Sequence, residues 1–246
     1  MACVVSAFYK IPSKFPVERY FEWIEPFLRG TSFPLVFFCE KELAPTFRSW
    51  RSQNMVLIEL PFEEFMAIKR YGFDFWKAEK EKDHEGSHTP ELYCTWYEKK
   101  EFVLRAIALN PFGSTKFVWC DAGILRAPSM LLHMDKFPLA EKIPDRKMTL
   151  LRVAKFEPGD TVDTSFLKVN RVGGGVLAAD AATWAWWSEE YDAMIQKYLA
   201  SGRFVGKDQS MMASMTLVYP ERCNVVIAPI QWDGFMRWFY LLFWLA

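Results

Sequence analysis

Histidine is scarce in this chain. His84, His88 and His133 are the only three, and none belongs to an HExxH pair or a Cys/His cluster. That argues against a zinc enzyme and against a triad built on a histidine base. Cysteine offers no framework either: Cys3, Cys39, Cys94, Cys120 and Cys223 are odd in number, far apart and without a CxxC. Their apolar settings predict reduced, mostly buried thiols and a reducing compartment. Neither charge is in excess, because 30 Lys and Arg balance 30 Asp and Glu. The basic surplus of a phosphate-backbone binder is therefore missing, so no nucleic-acid partner is expected. No apolar run reaches the ~20 residues that span a bilayer. The opening MACVVSAFYK lacks the basic start and long apolar core of a signal peptide. A cytoplasmic protein is the resulting expectation.

Aromatic residues, by contrast, are plentiful at 17% of the 246 residues. Flat amphipathic rings suit clefts that take sugars or bases. Short apolar runs at Val4–Tyr9, Leu35–Cys39 and Met55–Leu60 alternate with helix-like stretches at Val17–Leu28 and Glu63–Arg70. Strand-helix alternation of this kind predicts an α/β fold with a mostly parallel central sheet flanked by helices, one domain over residues 1–246. The charged segment 74–88, DFWKAEKEKDHEGSH, reads as an exposed excursion. The apolar tail 237–246, RWFYLLFWLA, either docks as a core segment or makes a peripheral contact with a membrane or partner.

Pro90–Leu109 has helical periodicity, with Leu92, Trp96, Val103 and Ala106 on one face. Lys99 shares that face, where a lysine either snorkels outward or reaches into a polar cavity. The buried run Phe117–Cys120 leads straight into Asp121, followed by the small residues Ala122 and Gly123. Ligands of open α/β sheets bind beyond the carboxyl ends of strands, which makes Asp121 a site candidate; an Asx turn is the competing reading. Gly173, Gly174 and Gly175 allow a ligand close to the backbone, or mark a bulge or turn. They match neither GxGxxG nor a P-loop. Asp180 has the position of an N-cap for a helix over Ala181–Leu199. Asp208 and Gln209 open a further helix, where capping and ligand contact are both available. Near the chain end, Asp233 stands beside Trp232 and a turn glycine.

The block NPFGSTKFVWCDAGILR, the GGGV segment and GKDQ together resemble the HtrL/YibB family, as do the opening VVSAFY and the later YFEW. The order of parts is also similar to the wider GT-A glycosyltransferase superfamily. The resemblance implies transfer of a sugar from a UDP- or GDP-sugar donor to a glycan acceptor. It implies donor contacts at Ala7, Phe8, Tyr9, Lys99, Asp121, Ala122 and Gly123, and acceptor-side backbone at Gly173–Gly175. Asp208 and Gln209 correspond to the DQ pair and would serve the reacting sugar and the acceptor hydroxyl. In GT-A enzymes a D-x-D motif holds Mn²⁺ or Mg²⁺ on the diphosphate. Here Asp121 is the first carboxylate, Gly123 stands at the second position, and Asp233 is the nearest substitute for a C-terminal metal ligand. Lys99, Arg126 and Lys207 are the cations that would otherwise meet the leaving diphosphate. A non-catalytic nucleotide-sugar or carbohydrate binder of the same fold is the alternative.

Overall fold

The computed structural model describes residues 1–232 and 234–246. Its strands are β1 (Ala2–Phe8), β2 (Leu35–Cys39), β3 (Met55–Glu59), β4 (Lys116–Cys120), β5 (Met148–Arg152), β6 (Val172–Asp180) and β7 (Cys223–Ile227). They form one sheet in the order β3-β2-β1-β4-β6-β5-β7. β6 runs antiparallel to β4 and β5, and every other pairing is parallel. The α/β fold with a mostly parallel sheet is thus the one expected from strand-helix alternation. The chain moves outward from β1 through β2 to β3, then returns to place β4 on the other side of β1. That reversal creates a switch point between the carboxyl ends of β1 and β4. The buried Ser6 hydroxyl donates to Cys120 O at 2.6 Å and ties the two ends together.

Side chains alternate across each strand and so feed two cores. Val5, Phe38, Phe117 and Trp119 point to one face; Val4, Phe37, Val118 and Cys120 point to the other. The second face is covered by α1 (Val17–Arg29) and α2 (Ala44–Trp50). The first is covered by α3 (Met66–Tyr71), α4 (Phe73–Lys80) and α5 (Pro90–Leu109). The short α6 (Pro128–Leu131) joins the second face, while α7 (Ala181–Ala200) and α8 (Asp208–Val218) complete the first. The limits of α5 follow from local chemistry. Thr89 Oγ1 accepts from Leu92 N at 3.4 Å, Pro90 needs no donor in the first turn, and Asn110 ends the helix in the left-handed region at φ 35°. For α7, Asp180 Oδ1 accepts from Thr183 N at 2.8 Å, the N-cap its position predicted.

Two local expectations need correction, and the tail takes the first of its two readings. Residues 74–88 are a solvated excursion only in part, because α4 carries an apolar side that docks on α5. Trp76 is buried, and the buried Glu79 carboxylate accepts from Val205 N at 2.9 Å. The opposite side of α4, with Asp74, Lys77 and Ala78, is exposed, as are Glu81 and residues 84–87 beyond it. The expected helix over Glu63–Arg70 divides into a 3₁₀ turn, Phe62–Glu64, and α3. The tail is spent inside the protein: α9 (Tyr240–Trp244) and its neighbours bury Phe239, Leu241, Leu242 and Leu245 in the second core. Leu139 N donates to Leu245 O at 2.7 Å, which pins the segment down. Those side chains are not available to a membrane, and no helix among the described residues is long and apolar enough to cross one. All five cysteines are buried free thiols, as their apolar settings predicted.

Candidate active site

Because β6 is antiparallel, it brings its glycine-rich start beside the end of β4. Cys120 pairs with Val176, and Asp121 N donates to Gly175 O at 2.8 Å. A cavity of about 700 Å³ opens there, within the ~300–1,000 Å³ usual for small-molecule sites. Its walls include Ala7, Phe8 and Tyr9 from the end of β1, Asp121, Ala122 and Gly123 after β4, and Lys99 from α5. Gly174, Gly175, Asp208 and Gln209 close the far side.

Gly173 does not line this cavity. A Cβ there would face Val153 and Leu151. None of the three glycines has a φ in the left-handed region, so they form no turn; they lie in β6 where its register against β5 shifts, the bulge of the competing reading. At Gly174 the missing side chain also makes room for a carboxylate. A Cβ on Gly174 would stand 2.8 Å from Asp208 Oδ2, and one on Gly175 would stand 3.5 Å from Asp121 Oδ2. The strand is bare where two acidic side chains lie against it.

Between those carboxylates sits Lys99. Its side chain is only 8% exposed, so it does not snorkel. Nζ donates to Gly174 O at 2.9 Å and lies 3.0 Å from Asp208 Oδ2 and 3.4 Å from Asp121 Oδ1. Burial would lower the lysine pKa, yet Asp121 and Asp208 outweigh it and raise the pKa, so the ammonium stays charged. The contact to Asp208 Oδ2 is an ion pair without hydrogen-bond alignment.

The two carboxylates differ in exposure. Asp208, the first residue of α8, is almost wholly covered, whereas the Asp121 side chain is 45% exposed within the cleft. Asp208 does not cap its helix: Lys207 occupies the cap position. Asp208, expected at the acceptor hydroxyl, lines the cavity with a side chain only 6% exposed. Its carboxylate is packed behind Lys99, and Asp121 is the acid that the cleft presents. Desolvation by the surrounding protein raises the Asp121 pKa despite that accessibility, while Lys99 and the Trp119 Nε1–H donated to Oδ1 at 2.8 Å work against the rise. Trp119 and Asp121 share a face because strand side chains alternate, a signal present in the sequence but not used. Nor does the Asp121 side chain form an Asx turn; the turn here is made by Asp121 O accepting from Ile124 N at 3.1 Å. Gln209 lines the cavity, with its Nε2 donating to Val172 O at 2.8 Å.

Among the described residues, Lys10, Lys14, Arg19, Lys99 and Arg126 line the cavity against the acids Asp121 and Asp208 alone. The walls thus carry a net positive charge. Arg126 lies with Cζ 3.7 Å from the centroid of the Trp23 ring, and its Nε is buried without a hydrogen-bond partner. Lys207, by contrast, is committed elsewhere, to Glu85 and to Leu167 O. Tyr20, Trp23, Trp96 and Trp238 supply flat walls.

The described residues do not fit a resident divalent cation. Asp121 and Asp208 converge on an ammonium group, Gly123 contributes no donor, and no three His, Cys, Asp or Glu side chains converge among the described residues. Asp233 lies outside the described residues.

The crystal structure of mouse xyloside xylosyltransferase 1, apo form, superposes with a TM-score of 0.51 at 13% identity, covering 99% of this chain and 94% of that one. At that identity the likeness concerns the fold alone. No curated protein matches the chain in sequence. The family model described as "Bacterial protein of unknown function (HtrL_YibB)" matches residues 69–241, well over half of the chain and including α5, Asp121, the glycine strand and Asp208. The chain accordingly belongs to the HtrL_YibB family.

Proposed function

We propose that this protein is a glycosyltransferase that moves a sugar from a UDP- or GDP-sugar donor to the hydroxyl of a glycan acceptor. The observation that carries the reading is the convergence of Asp121, Lys99 and Asp208 on one cavity at the switch point between β1 and β4. A nucleotide sugar needs three things from such a site: flat surfaces for base and sugar, cations for the diphosphate, and a carboxylate for the acceptor. Tyr20, Trp23 and Trp96 offer the first, and the surplus of lysine and arginine offers the second.

Asp121 offers the third. In the transfer step the bond from the anomeric carbon to the diphosphate oxygen breaks, and its electron pair leaves with the diphosphate. The acceptor oxygen forms the new bond to carbon, and its proton passes to Asp121. A raised pKa makes this carboxylate a better base than an ordinary aspartate, provided the pH keeps it ionised. Lys99 restrains Asp121 Oδ1 together with Trp119, and Asp208 acts through Lys99 as a positioning residue.

Incubation with UDP- and GDP-sugars, followed by measurement of released nucleotide with and without glycan acceptors, tests the proposal. Release that disappears in Asp121→Asn, with the melting temperature preserved, is the expected result. Equal loss of release and of melting temperature would make Asp121 a structural residue. The second reading, a binder without turnover, is favoured by Gly123 at the second motif position. Nucleotide-sugar binding with no release under any condition would select it.

A further inference from the structure

We propose that the donor diphosphate is held in this cleft by the Arg126 guanidinium, with no divalent cation between protein and phosphate. This rests on the reading of the cavity as a nucleotide-sugar site. The first argument concerns what a metal would meet. The carboxylate oxygens Asp121 Oδ1 and Asp208 Oδ2 already have the Lys99 ammonium at 3.4 and 3.0 Å. A dication bridging them would have to displace a cation that is almost fully buried and anchored on Gly174 O at 2.9 Å. Bound beside Lys99 instead, it would face like charge at close range. The β4 turn does not compensate, because Gly123 has no side chain to coordinate with and a Cβ there would point at Tyr20 and Trp23.

The second argument concerns what is left without a partner. Arg126 lines the same cavity but forms no ion pair among the described residues. Its Nε has no hydrogen bond and no contact with solvent. Burial lowers its pKa, and the charge of Asp121 only partly opposes that. A guanidinium stacked on Trp23, whose terminal nitrogens line the cavity unburied and without a hydrogen bond among the described residues, is a group prepared for an anion. Its planar fork can donate two parallel bonds to phosphate oxygens, and stacking on the indole sets the plane in which they arrive. When the glycosyl bond breaks, the negative charge that appears on the leaving phosphate oxygen meets a fixed cation.

Isothermal titration of the full chain with UDP, GDP and inorganic pyrophosphate, first in EDTA and then in excess Mn²⁺, separates the outcomes. Metal-free binding of a nucleoside diphosphate, changed by Mn²⁺ less than about threefold, supports the proposal. Arg126→Met keeps an apolar stem over Trp23 and should weaken that binding about 10- to 100-fold, the loss of a charged hydrogen-bonding group. Arg126→Lys, a point charge without the fork, should fall between the two. Binding that appears only with Mn²⁺ overturns the metal-free site while leaving the nucleotide-sugar reading intact. This comparison uses the unaltered protein and holds whether or not the variants fold. Unchanged affinity in a folded Arg126→Met also overturns it. Pyrophosphate binding without UDP or GDP binding keeps the anion site and sinks the nucleotide reading. No binding in either condition sinks both.

Discussion

Replacing Lys99 with methionine should be among the most damaging single changes in this protein, and its cost follows from the burial of its partners. The ammonium is 8% exposed and the Asp208 side chain 6%, so solvent screens their 3.0 Å contact weakly. Lys99→Met leaves Asp208 as an uncompensated buried carboxylate, a loss of about 3–5 kcal/mol. Asp121 adds little, because its side chain is 45% exposed and water can replace the lysine there. Against a typical total of about 5–15 kcal/mol, that is a large fraction. Asp208→Asn should cost less, about 1–3 kcal/mol, since Lys99 keeps Gly174 O and Asp121 as partners. The double variant Lys99→Met/Asp208→Asn carries neither charge. It should therefore be more stable than the sum of the single losses predicts, by about 2 kcal/mol. Urea unfolding followed by circular dichroism at pH 7, for the four proteins of this cycle, measures the coupling directly. Additivity to within about 0.5 kcal/mol would refute the idea that Lys99 exists to neutralise Asp208.

The other predictions use the same cluster and the helix that carries it. Transfer should rise with pH through an apparent pKa above the ordinary aspartate range, because the Asp121 base must be ionised and its pKa is raised; a rate already flat from pH 4 upward would contradict this. Gly174→Ala places a methyl 2.8 Å from Asp208 Oδ2, so it should cost about 1–3 kcal/mol, whereas Gly175→Ala, with 3.5 Å to Asp121 Oδ2, should leave the melting temperature nearly unchanged. Reversed magnitudes for the two alanines would show that the carboxylates do not lie against the strand. Glu98 on α5 is wholly buried, and burial pushes its pKa from 4.5 to about 7 against the N–H groups of Met66 and Ala67. A folded state that holds this proton more tightly loses stability as pH rises from 4.5 to about 7, so Glu98→Gln should gain on the wild type by up to about 3 kcal/mol across that window. Paired denaturant titrations at pH 4.5 and 8 check this, and a constant difference between the two proteins would count against it.

The features legible in the sequence were those set by neighbouring residues. Thr89-Pro90 and Asn110-Pro111 delimit α5 without reference to the rest of the chain, and LVFFC is a strand with both faces buried wherever it is placed. The position of Asp121 at a strand end was equally local. What the sequence could not display was the direction of β6. A nine-residue strand reads the same in either sense, and only its pairing with β4 turns the glycines toward Asp121 rather than away from it. The short β5 gives a weaker signal than β2 because Thr149 and Arg152 interrupt the apolar run of MTLLR, which follows a polar, proline-containing stretch. The tail left two readings open because its composition fits a membrane surface as well as a core, and its packing beside β5 decides between them.

The hardest element to read was the partnership of Lys99, Asp121 and Asp208, because charge and polarity mark each of them separately as surface residues. Periodicity put Lys99 on the apolar face of α5, where a lone cation is costly unless it meets an anion. Asp208 lies at the start of α8, where capping would have satisfied it. Each residue alone had an inexpensive explanation, but the fold uses neither. The ion pair explains Gly174: a Cβ there would stand 2.8 Å from Asp208 Oδ2 and press the carboxylate from its place beside Lys99. Gly173, which faces Val153 and Leu151, and Gly175, with ordinary clearance, do not share that reason. At Gly174 the small residue on β6 follows from electrostatics in the cleft before any ligand enters it.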